Sequence, residues 1–412
     1  MKTRTAFVAL LALAAFAALL CGCPTEVQLA SDKAITAFAI TAPAATGVIN
    51  EGAKTITVTV PYGTVVTALI ATFTATGTSV KVSGTEQTSG TTANDFTNTV
   101  TYTVTAEDGS TADYAVSVVN PGLDTLMYRD MVSVPGGTYT ETDGTNSFSH
   151  TVTSFSIGKY EVTYELWYAV RVWALKHSYF FEHQGNQGSS VGGQGSVPGA
   201  HKYEPVVFVS WRDAIVWCNA YSEASGLTPV YTYGGNVLRD SRNTNATACD
   251  GAVMNMAATG YRLPTEGEWQ YAASYKNGTD WTPWNCASGG SVAYTGTNST
   301  DFPNFDPYAW FGNTTTSPDG NATQTKDVGL KTANQLGIYD MSGNVDEWCW
   351  DWYAALPTTA KTDYTGPASA TYRMTKGGDW RYEIEYLRVG DRQFYTSSVN
   401  IFDAMGFRVA RR

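Results

Sequence analysis

Tryptophan is distributed very unevenly along this chain, and that distribution limits how the chain can fold. All twelve tryptophans of the 412 residues come after residue 160, whereas residues 32–120 are dominated by Thr, Val and Ala. The composition changes at Pro121-Gly122, a pair that favours a turn or linker. The length itself is enough for about two domains of ~100–200 residues each. We therefore predict one domain over residues 32–120 and a second over residues 125–412.

The first domain shows the two-residue period of β-strands. Thr, Ser or Ala alternates with larger apolar or aromatic residues at 55–60, 101–104 and 114–118, and turn-forming triplets stand at 61–63 and 108–110. This pattern is typical of half-buried antiparallel strands. About ninety residues of this kind predict an all-β sandwich of immunoglobulin-like or cadherin-like type. We interpret it as a spacer, with a second binding domain as the alternative.

The first 23 residues predict export and lipidation. Lys2 and Arg4 precede an apolar run over residues 6–20, which is the layout of a secretory signal. The run ends at Cys21-Gly22-Cys23 and resembles a lipobox, in which a small residue precedes the acylated cysteine. We predict a signal peptide over 1–22, an acylated Cys23 and a tether over 23–31, giving a lipoprotein anchored at the outer membrane or cell surface. The alternative is an ordinary signal peptide with an unmodified cysteine.

Charge and cysteine content narrow the function classes. The formal net charge is −11 and no lysine- or arginine-rich stretch follows the signal, so no basic surface for nucleic acid is expected. The four cysteines after Cys23 match no zinc-binding spacing. Cys218 and Cys349 lie in apolar segments and are predicted to be buried, whereas a Cys249–Cys286 disulfide is left open.

Three helices are predicted in the second domain. Apolar residues recur at helical spacing over 164–176 and 211–225. A shorter helix is expected after Pro264, with Thr265 as its cap and Glu266 and Glu268 in its first turn, where carboxylates favour the exposed N–H groups. We assign these glutamates a structural role.

Seven sequence blocks follow one another in the second domain. They are VPGGTY at 134–139, YEVT at 160–163, PVVFVSW at 205–211, GYRLPTEGEW at 260–269, LGIYDMSGNVDEW at 336–348, GGDW at 377–380 and GFRV at 406–409. Together and in this order, they are similar to the formylglycine-generating-enzyme (sulfatase-modifying-factor) family. This resemblance implies an α+β, loop-rich domain related to the C-type lectin fold.

The resemblance also implies a structural calcium ion in the loop around residue 343. Carboxylate and carbonyl oxygens suit Ca²⁺, and the predicted ligands are Asp340, Gly343, Val345 and Glu347. The alternative is an acidic turn closed by its own backbone amides. A second calcium loop of the family has no clear counterpart, because residues 294–326 diverge.

The residues present do not support the catalytic activity of the family. The family's oxidase is expected to bind copper through two cysteines, and Cu(I) requires soft thiolates. Here the matching positions lie near Tyr382 and Leu387, and no cysteine follows Cys349. We therefore expect no copper and no catalytic residue, with an oxidase acting on exported proteins as the alternative. The histidines show no ligand spacing either.

The C-terminal segment is a candidate recognition surface. Aromatic, charged and small polar residues mix there without a regular period, as they do in antibody-like contact surfaces. The segment is similar to variable proteins of diversity-generating retroelements, which implies a displayed surface for a protein or glycan ligand. The predicted ligand-binding residues are Arg381, Tyr382, Glu383, Glu385, Tyr386, Asp391, Gln393, Phe394, Tyr395 and Ser397.

Between these residues we expect buried anchors at Trp380, Leu387, Val389 and Phe407. Two alternatives stay open: an aromatic loop that simply packs on its own domain, and a purely structural envelope lipoprotein.

Overall fold

The computed structural model describes residues 28–189, 193–312, 321–396 and 401–412. The predicted signal peptide, Cys23 and Ser397 lie outside these ranges. None of the helices within them has the length and apolar character needed to cross a membrane. The chain divides into two compact units, one containing the described residues up to Val58 together with Val66–Val118, the other Thr59–Val65 and Val119–Arg412.

The first unit is all-β, as the alternation predicts. Its strands join in the order β6-β5-β8-β9-β3-β2-β1-β4-β7. In β3 the burial alternates strictly, so that Ile56 and Val58 point inward while the threonines point outward. The nine strands of the described part are β1 Ile35–Ile40, β2 Ala45–Asn50, β3 Thr55–Thr59, β4 Leu69–Ala75, β5 Ser79–Val82, β6 Thr85–Glu86, β7 Ala93–Asn94, β8 Val100–Thr105 and β9 Thr111–Val119.

An aromatic contact shows that this sheet folds back on itself. Phe38 on β1 and Tyr102 on β8 are separated by three strands in the order, yet their ring centroids lie 5.2 Å apart. In a flat sheet four strand spacings would separate them by roughly 19 Å, at about 4.8 Å per strand. The unit therefore has two layers with Tyr102 in the core between them.

The second unit is rich in short sheets and loops. Its largest sheet has the strand order β22-β21-β19-β23 and carries the C-terminal segment. The strands described in this unit are β10 Met131–Val134, β11 Gly137–Thr142, β12 Ser147–Val152, β13 Phe155–Gly158, β14 Asn186–Gln187, β15 Val206–Val207, β16 Tyr231–Tyr233, β17 Asn236–Val237, β18 Val253–Met254, β19 Asp346–Trp352, β20 Lys361–Thr362, β21 Arg373–Lys376, β22 Gln393–Tyr395, β23 Met405–Gly406 and β24 Ala410–Arg411.

The helices begin at polar residues that accept hydrogen bonds from the first turn. Thr163 accepts from Leu166 N, and both Ser210 with Asp213 and Thr265 with Glu268 form capping boxes. The three predicted helices are confirmed, the first two within one residue at each end. The structure also has two shorter helices, in segments whose sequence shows no clear helical period. The helices described are α1 Tyr164–Leu175, α2 Trp211–Ala224, α3 Ala246–Asp250, α4 Glu266–Ser274 and α5 Asn298–Phe305.

The core of this unit forms where α1 and α2 pack together. The indole rings of Trp167 and Trp217 stack with centroids 5.8 Å apart, and the ring of Phe407 meets both edge-on. The helical spacing predicts that Leu175 joins this core. Leu175 is instead exposed, in the last turn of α1.

All four cysteines after Cys23 are buried and free. Cys218 and Cys349 are buried as predicted. Cys249 packs in the core formed by α1 and α2, whereas Cys286 lies in a separate loop. The backbone carbonyl of Cys286 accepts a hydrogen bond from Val389 N. The open question of a Cys249–Cys286 disulfide is thus answered: the bond is not formed.

Candidate functional site

A fully buried charged centre lies beneath the loop that was predicted to hold calcium. The carboxylate of Glu347, on β19, accepts from Arg408 Nε and Nη2, each at 2.6 Å, and from Trp269 Nε1 at 2.8 Å. Glu347 and Arg408 have no exposed surface. Two parallel charge-assisted bonds of this kind are strong and geometrically specific. We call these three residues the Arg408 centre.

Two further carboxylates adjoin this centre. Asp340 accepts from Gly329 N at 2.7 Å through Oδ2, while its Oδ1 has no hydrogen-bond partner among the described residues. Burial raises the pKa of Asp340 to about 6. Glu161 accepts from Asn344 Nδ2 at 2.6 Å, and burial, reinforced by Asp340 and Glu347, raises its pKa well above the ordinary value. Burying a carboxylate away from water disfavours its charged form.

Two of the predicted calcium ligands differ in how their oxygens are engaged. Both Glu347 oxygens accept hydrogen bonds from Arg408 or Trp269. Asp340 retains one unpartnered buried oxygen. In the described ranges no three His, Cys, Asp or Glu side chains are grouped so that they could hold a metal. Calcium at Asp340, Gly343, Val345 and Glu347 stays a prediction.

Copper has no ligands at the positions that the family resemblance indicates. Tyr382 and Leu387 occupy them, and Leu387 is completely buried. The four cysteines described above are buried elsewhere, and burial raises the pKa of Cys249 to about 12 and that of Cys286 above its ordinary value. A copper site needs thiolates, and raised pKa values disfavour thiolate formation.

Four of the predicted recognition residues and Phe402 form a half-exposed aromatic group, which we call the Tyr382 cluster: Arg381, Tyr382, Tyr386, Tyr395 and Phe402. The hydroxyls of Tyr382 and Tyr395 lie 2.5 Å apart, and the ring of Tyr386 lies 4.8 Å from that of Tyr382. Phe402 packs 5.6 Å from Tyr395. Every member keeps part of its surface exposed.

Arg381 is held in place by carboxylates from two segments. Its Nη2 lies 2.9 Å from Asp379 and its Nη1 lies 3.0 Å from Asp403. Below it Asp346 is fully buried, and neither of its carboxylate oxygens has a hydrogen-bond partner among the described side chains and backbone. Burial, reinforced by Asp379, raises the pKa of Asp346 well above the ordinary value. The guanidinium therefore sits in a fixed position at the edge of an acidic interior.

The remaining predicted residues are separated from the Tyr382 cluster. Phe394 points to the other face of β22, where its ring lies 4.2 Å from Tyr353 and 5.0 Å from Tyr372. Asp391 is engaged internally, since it pairs with Arg388 at 3.2 Å and accepts from Gln393 Nε2 at 2.8 Å. Glu383 and Glu385 are half-exposed. The segment thus offers two small aromatic faces instead of one continuous surface.

The anchors behave as predicted with one exception. Leu387, Val389 and Phe407 are fully buried, and Ile384 joins them. Trp380, expected to pack inward, is only half-buried: its Nε1 donates to the Asp403 carbonyl at 3.2 Å. The indole stays at the rim because its N–H finds a hydrogen-bond acceptor there, in the loop that contains Asp403.

Sequence reasoning missed four contributors to these faces. Phe402 and Asp403 follow Ser397, the last of the predicted contact residues, and Asp403 could have been suspected only as a partner for Arg381. Tyr353 and Tyr372 are remote in sequence. The pairing of Arg373 with Tyr395 and of Trp352 with Arg373 brings their strands together. A single sequence gives no signal for that register.

With this geometry in place, the comparisons define the class of protein. Residues 118–412 match the model of the sulfatase-modifying factor enzyme 1-like domain, and the chain belongs to this family. Residues 35–118 match the model described as SGBP, N-terminal. The family resemblance of the seven sequence blocks is thereby confirmed.

Particular relatives fall into three kinds. "Chaperone protein LppX" of Paenibacillus barcinonensis is 35% identical over 262 residues, which are 62% of this chain and 80% of that protein. Formylglycine-generating enzyme of Thermomonospora curvata is 35% identical over 33% of this chain and 43% of the enzyme. The solved structure of Treponema denticola variable protein 1 is 32% identical with a TM-score of 0.53, over 68% of this chain and 94% of that one. The similarity to a variable protein, inferred from the C-terminal segment, is confirmed.

Proposed function

We propose that this protein is an exported lipoprotein whose family domain binds a protein or glycan ligand without catalysis. The observation that carries the proposal is the Tyr382 cluster, a half-exposed aromatic group with a fixed arginine, mounted on fully buried anchors such as Leu387. Its C-type-lectin-like scaffold would display the cluster, and an immunoglobulin- or cadherin-like unit would serve as the spacer.

The chemistry of the cluster suits recognition. Tyr and Arg are enriched among the residues that dominate binding energy at interfaces. The ion pairs of Arg381 with Asp379 and Asp403 fix the guanidinium before any ligand arrives, so little side-chain entropy is lost on binding. The similarity to Treponema denticola variable protein 1 supports the same reading.

The non-catalytic part of the proposal rests on the missing thiolates. Tyr382 and Leu387 stand where copper-binding cysteines are expected, and both are unsuited to hold Cu(I). Copper added to the purified chain should give neither tight stoichiometric binding nor O₂ consumption with a cysteine-containing substrate peptide. Turnover above a metal-free control would favour the oxidase alternative.

A chaperone-like role is a second candidate, favoured by the 35% identity to the protein named Chaperone protein LppX over 80% of its length. In that case the ligand would be another exported protein in a partly folded state. Such a role predicts that the protein suppresses aggregation of a denatured model substrate such as reduced lysozyme. The native-ligand proposal predicts no suppression.

The binding proposal is tested by selecting ligands from a random-peptide phage library and from a glycan array. Binders of the wild type should be lost from the double variant Tyr382→Ala/Tyr395→Ala. The control is Phe180→Ala, at a more exposed aromatic residue outside the segment, which should keep them. Ligands that bind all three proteins equally would argue against the Tyr382 cluster as the site.

The membrane anchor is tested separately at Cys23. Cys23→Ser should abolish labelling with a palmitate analogue and release the protein from the membrane fraction. Labelling that persists in the variant would contradict anchoring through this residue.

A further inference from the structure

One buried arginine outside the Tyr382 cluster forms no ion pair in the described part of the chain. The structure describes four buried arginines: Arg212, Arg262, Arg373 and Arg408. Three of them form bidentate pairs, with Asp250, Glu268 and Glu347 respectively. Arg373 has no carboxylate within 4.0 Å in the described part of the chain. Burying an unpaired ion is costly, so this exception needs an explanation.

The faces of the Arg373 guanidinium are covered by tryptophan. Its carbon lies 3.4 Å from the ring centroid of Trp211 and 3.4 Å from that of Trp352. The two indoles are nearly parallel, at 26°, with the guanidinium between them. Cation–π stacking of this kind stabilises the position of the cation but supplies no formal negative charge.

The edge of the guanidinium is largely unused. Nη1 donates to the Trp350 carbonyl at 2.7 Å, whereas Nε is buried and makes no hydrogen bond to any described residue. In Arg212, Arg392 and Arg408 the edge formed by Nε and Nη2 is the one that grips a carboxylate. The same edge of Arg373 is buried and grips no carboxylate of the described chain.

A pocket of about 580 Å³ reaches this arginine. Arg373 lines it together with Trp350, Trp352, Met254, Met256 and the loop that ends at Ala368. The volume is typical of small-ligand sites, and the wall combines tryptophan and methionine side chains with a few polar groups, as such sites do. Asp250 at the lining is already paired with Arg212 at 2.5 Å, so its charge is largely compensated.

We propose that this pocket binds a ligand with a single carboxylate on an apolar or aromatic body, the carboxylate pairing with the Nε edge of Arg373. One guanidinium balances one negative charge, whereas a phosphate dianion would call for a second cation, and Arg212 is committed to Asp250. The aromatic and methionine side chains of the wall would contact the apolar body. The carboxylate could belong to a free small molecule or to the C-terminus of a peptide.

Binding is measured by calorimetry with four probes: N-acetyl-L-phenylalanine, its amide, and a pentapeptide ending in Phe as free acid and as amide. The acids should bind at least about tenfold more tightly than their amides, a difference of about 1.4 kcal/mol. Binding of both acids identifies either source as acceptable, and binding of only one identifies the source. Equal binding of acids and amides, or no binding of either acid at millimolar concentration, would overturn the proposal.

Two variants locate the site. Ala368→Trp places an indole at the exposed mouth of the pocket and should abolish binding while leaving the melting temperature near that of the wild type. Leu330→Ala, at an exposed residue that does not line the pocket, is the matched control and should bind as the wild type does. Retention of binding by Ala368→Trp would place the probe elsewhere and overturn the assignment.

Stability provides a readout that does not depend on the probe. Arg373→Met removes an unpaired charge, whereas Arg408→Met leaves Glu347 buried without a partner. The melting temperature should therefore fall much less for Arg373→Met than for Arg408→Met, and Arg373→Met should no longer bind the acids. An equally large fall in both variants would show that the protein itself compensates Arg373, and would contradict an open carboxylate site.

Discussion

The Arg408 centre and the Tyr382 cluster each contain an arginine that pairs with carboxylate and lies beside aromatic rings, but they differ in how far their polar atoms are exposed. In the Arg408 centre every contact of Glu347 is internal and nothing is exposed. In the Tyr382 cluster, Arg381 is paired with Asp379 and Asp403 yet one third of its side chain remains exposed. Charges that are fully satisfied inside the protein hold the fold together, whereas rigid but accessible ones are free to meet a ligand.

The largest expected effect is the loss of Arg408. Arg408→Met leaves the Glu347 carboxylate buried and unpaired, which should lower the free energy of unfolding by about 3–5 kcal/mol. Arg381→Met, in the Tyr382 cluster, removes a partly exposed pair with Asp403 and leaves Asp379 its hydrogen bond from the residue 381 backbone N–H, so it should cost less than Arg408→Met. Urea unfolding of both variants checks this. Similar losses in the two would erase the distinction between the regions.

Within the C-terminal segment, anchors and cluster residues should also separate. Leu387→Ala creates a cavity in the core and should cost about 2–5 kcal/mol. Tyr382→Ala and Tyr395→Ala remove half-exposed rings and should each cost about 1 kcal/mol, while binding of a selected ligand falls by about 2 kcal/mol if they are hot spots. If thermal melts show the tyrosine variants unfolding as readily as Leu387→Ala, the segment is core and the recognition proposal loses its support.

The next prediction concerns calcium and the stability of the Arg408 centre. An ion bound only to the native state adds about 2.7 kcal/mol at a hundredfold excess over Kd, so a chelator should lower the melting temperature. Asp340→Asn should abolish this dependence on calcium. Glu347→Gln should melt lower whether or not calcium is present, because it breaks the pair with Arg408. If chelator does not change the melting curve of the wild type, the prediction of calcium is wrong. The acidic turn is then closed by its own backbone amides.

The smallest effect concerns the thiols, which should be chemically silent in the native state. Burial raises the pKa of Cys249 to about 12 and raises that of Cys286 above its ordinary value. Both shifts disfavour the thiolate at pH 8. In a chain that lacks residues 1–23, a thiol reagent should detect none of the cysteines until denaturant is added, and then all four. Two missing thiols under denaturing conditions would reveal a disulfide.

Much of the fold followed from local pattern. The capping residues Thr265 and Glu268 fixed the start of α4, and the alternation at 55–60 identified a strand whose threonines face outward. The candidate site was only partly predictable. The segment and its anchors were found, but Trp380 was placed too deep and Phe402 was missed, because both depend on how the loop around Asp403 closes over the sheet.

The sequence by itself determined the two compositional domains, the family and the alternation of anchors with contact residues, because periodicity, caps and motifs act over a few neighbouring positions. Only the tertiary structure decided which charges are paired. It paired Glu347 with Arg408, 61 residues away, and it left Arg373 between two tryptophans without an ion pair in the described part of the chain. Those outcomes depend on strand register and loop closure, which bring distant side chains within a few ångströms and which no local pattern encodes.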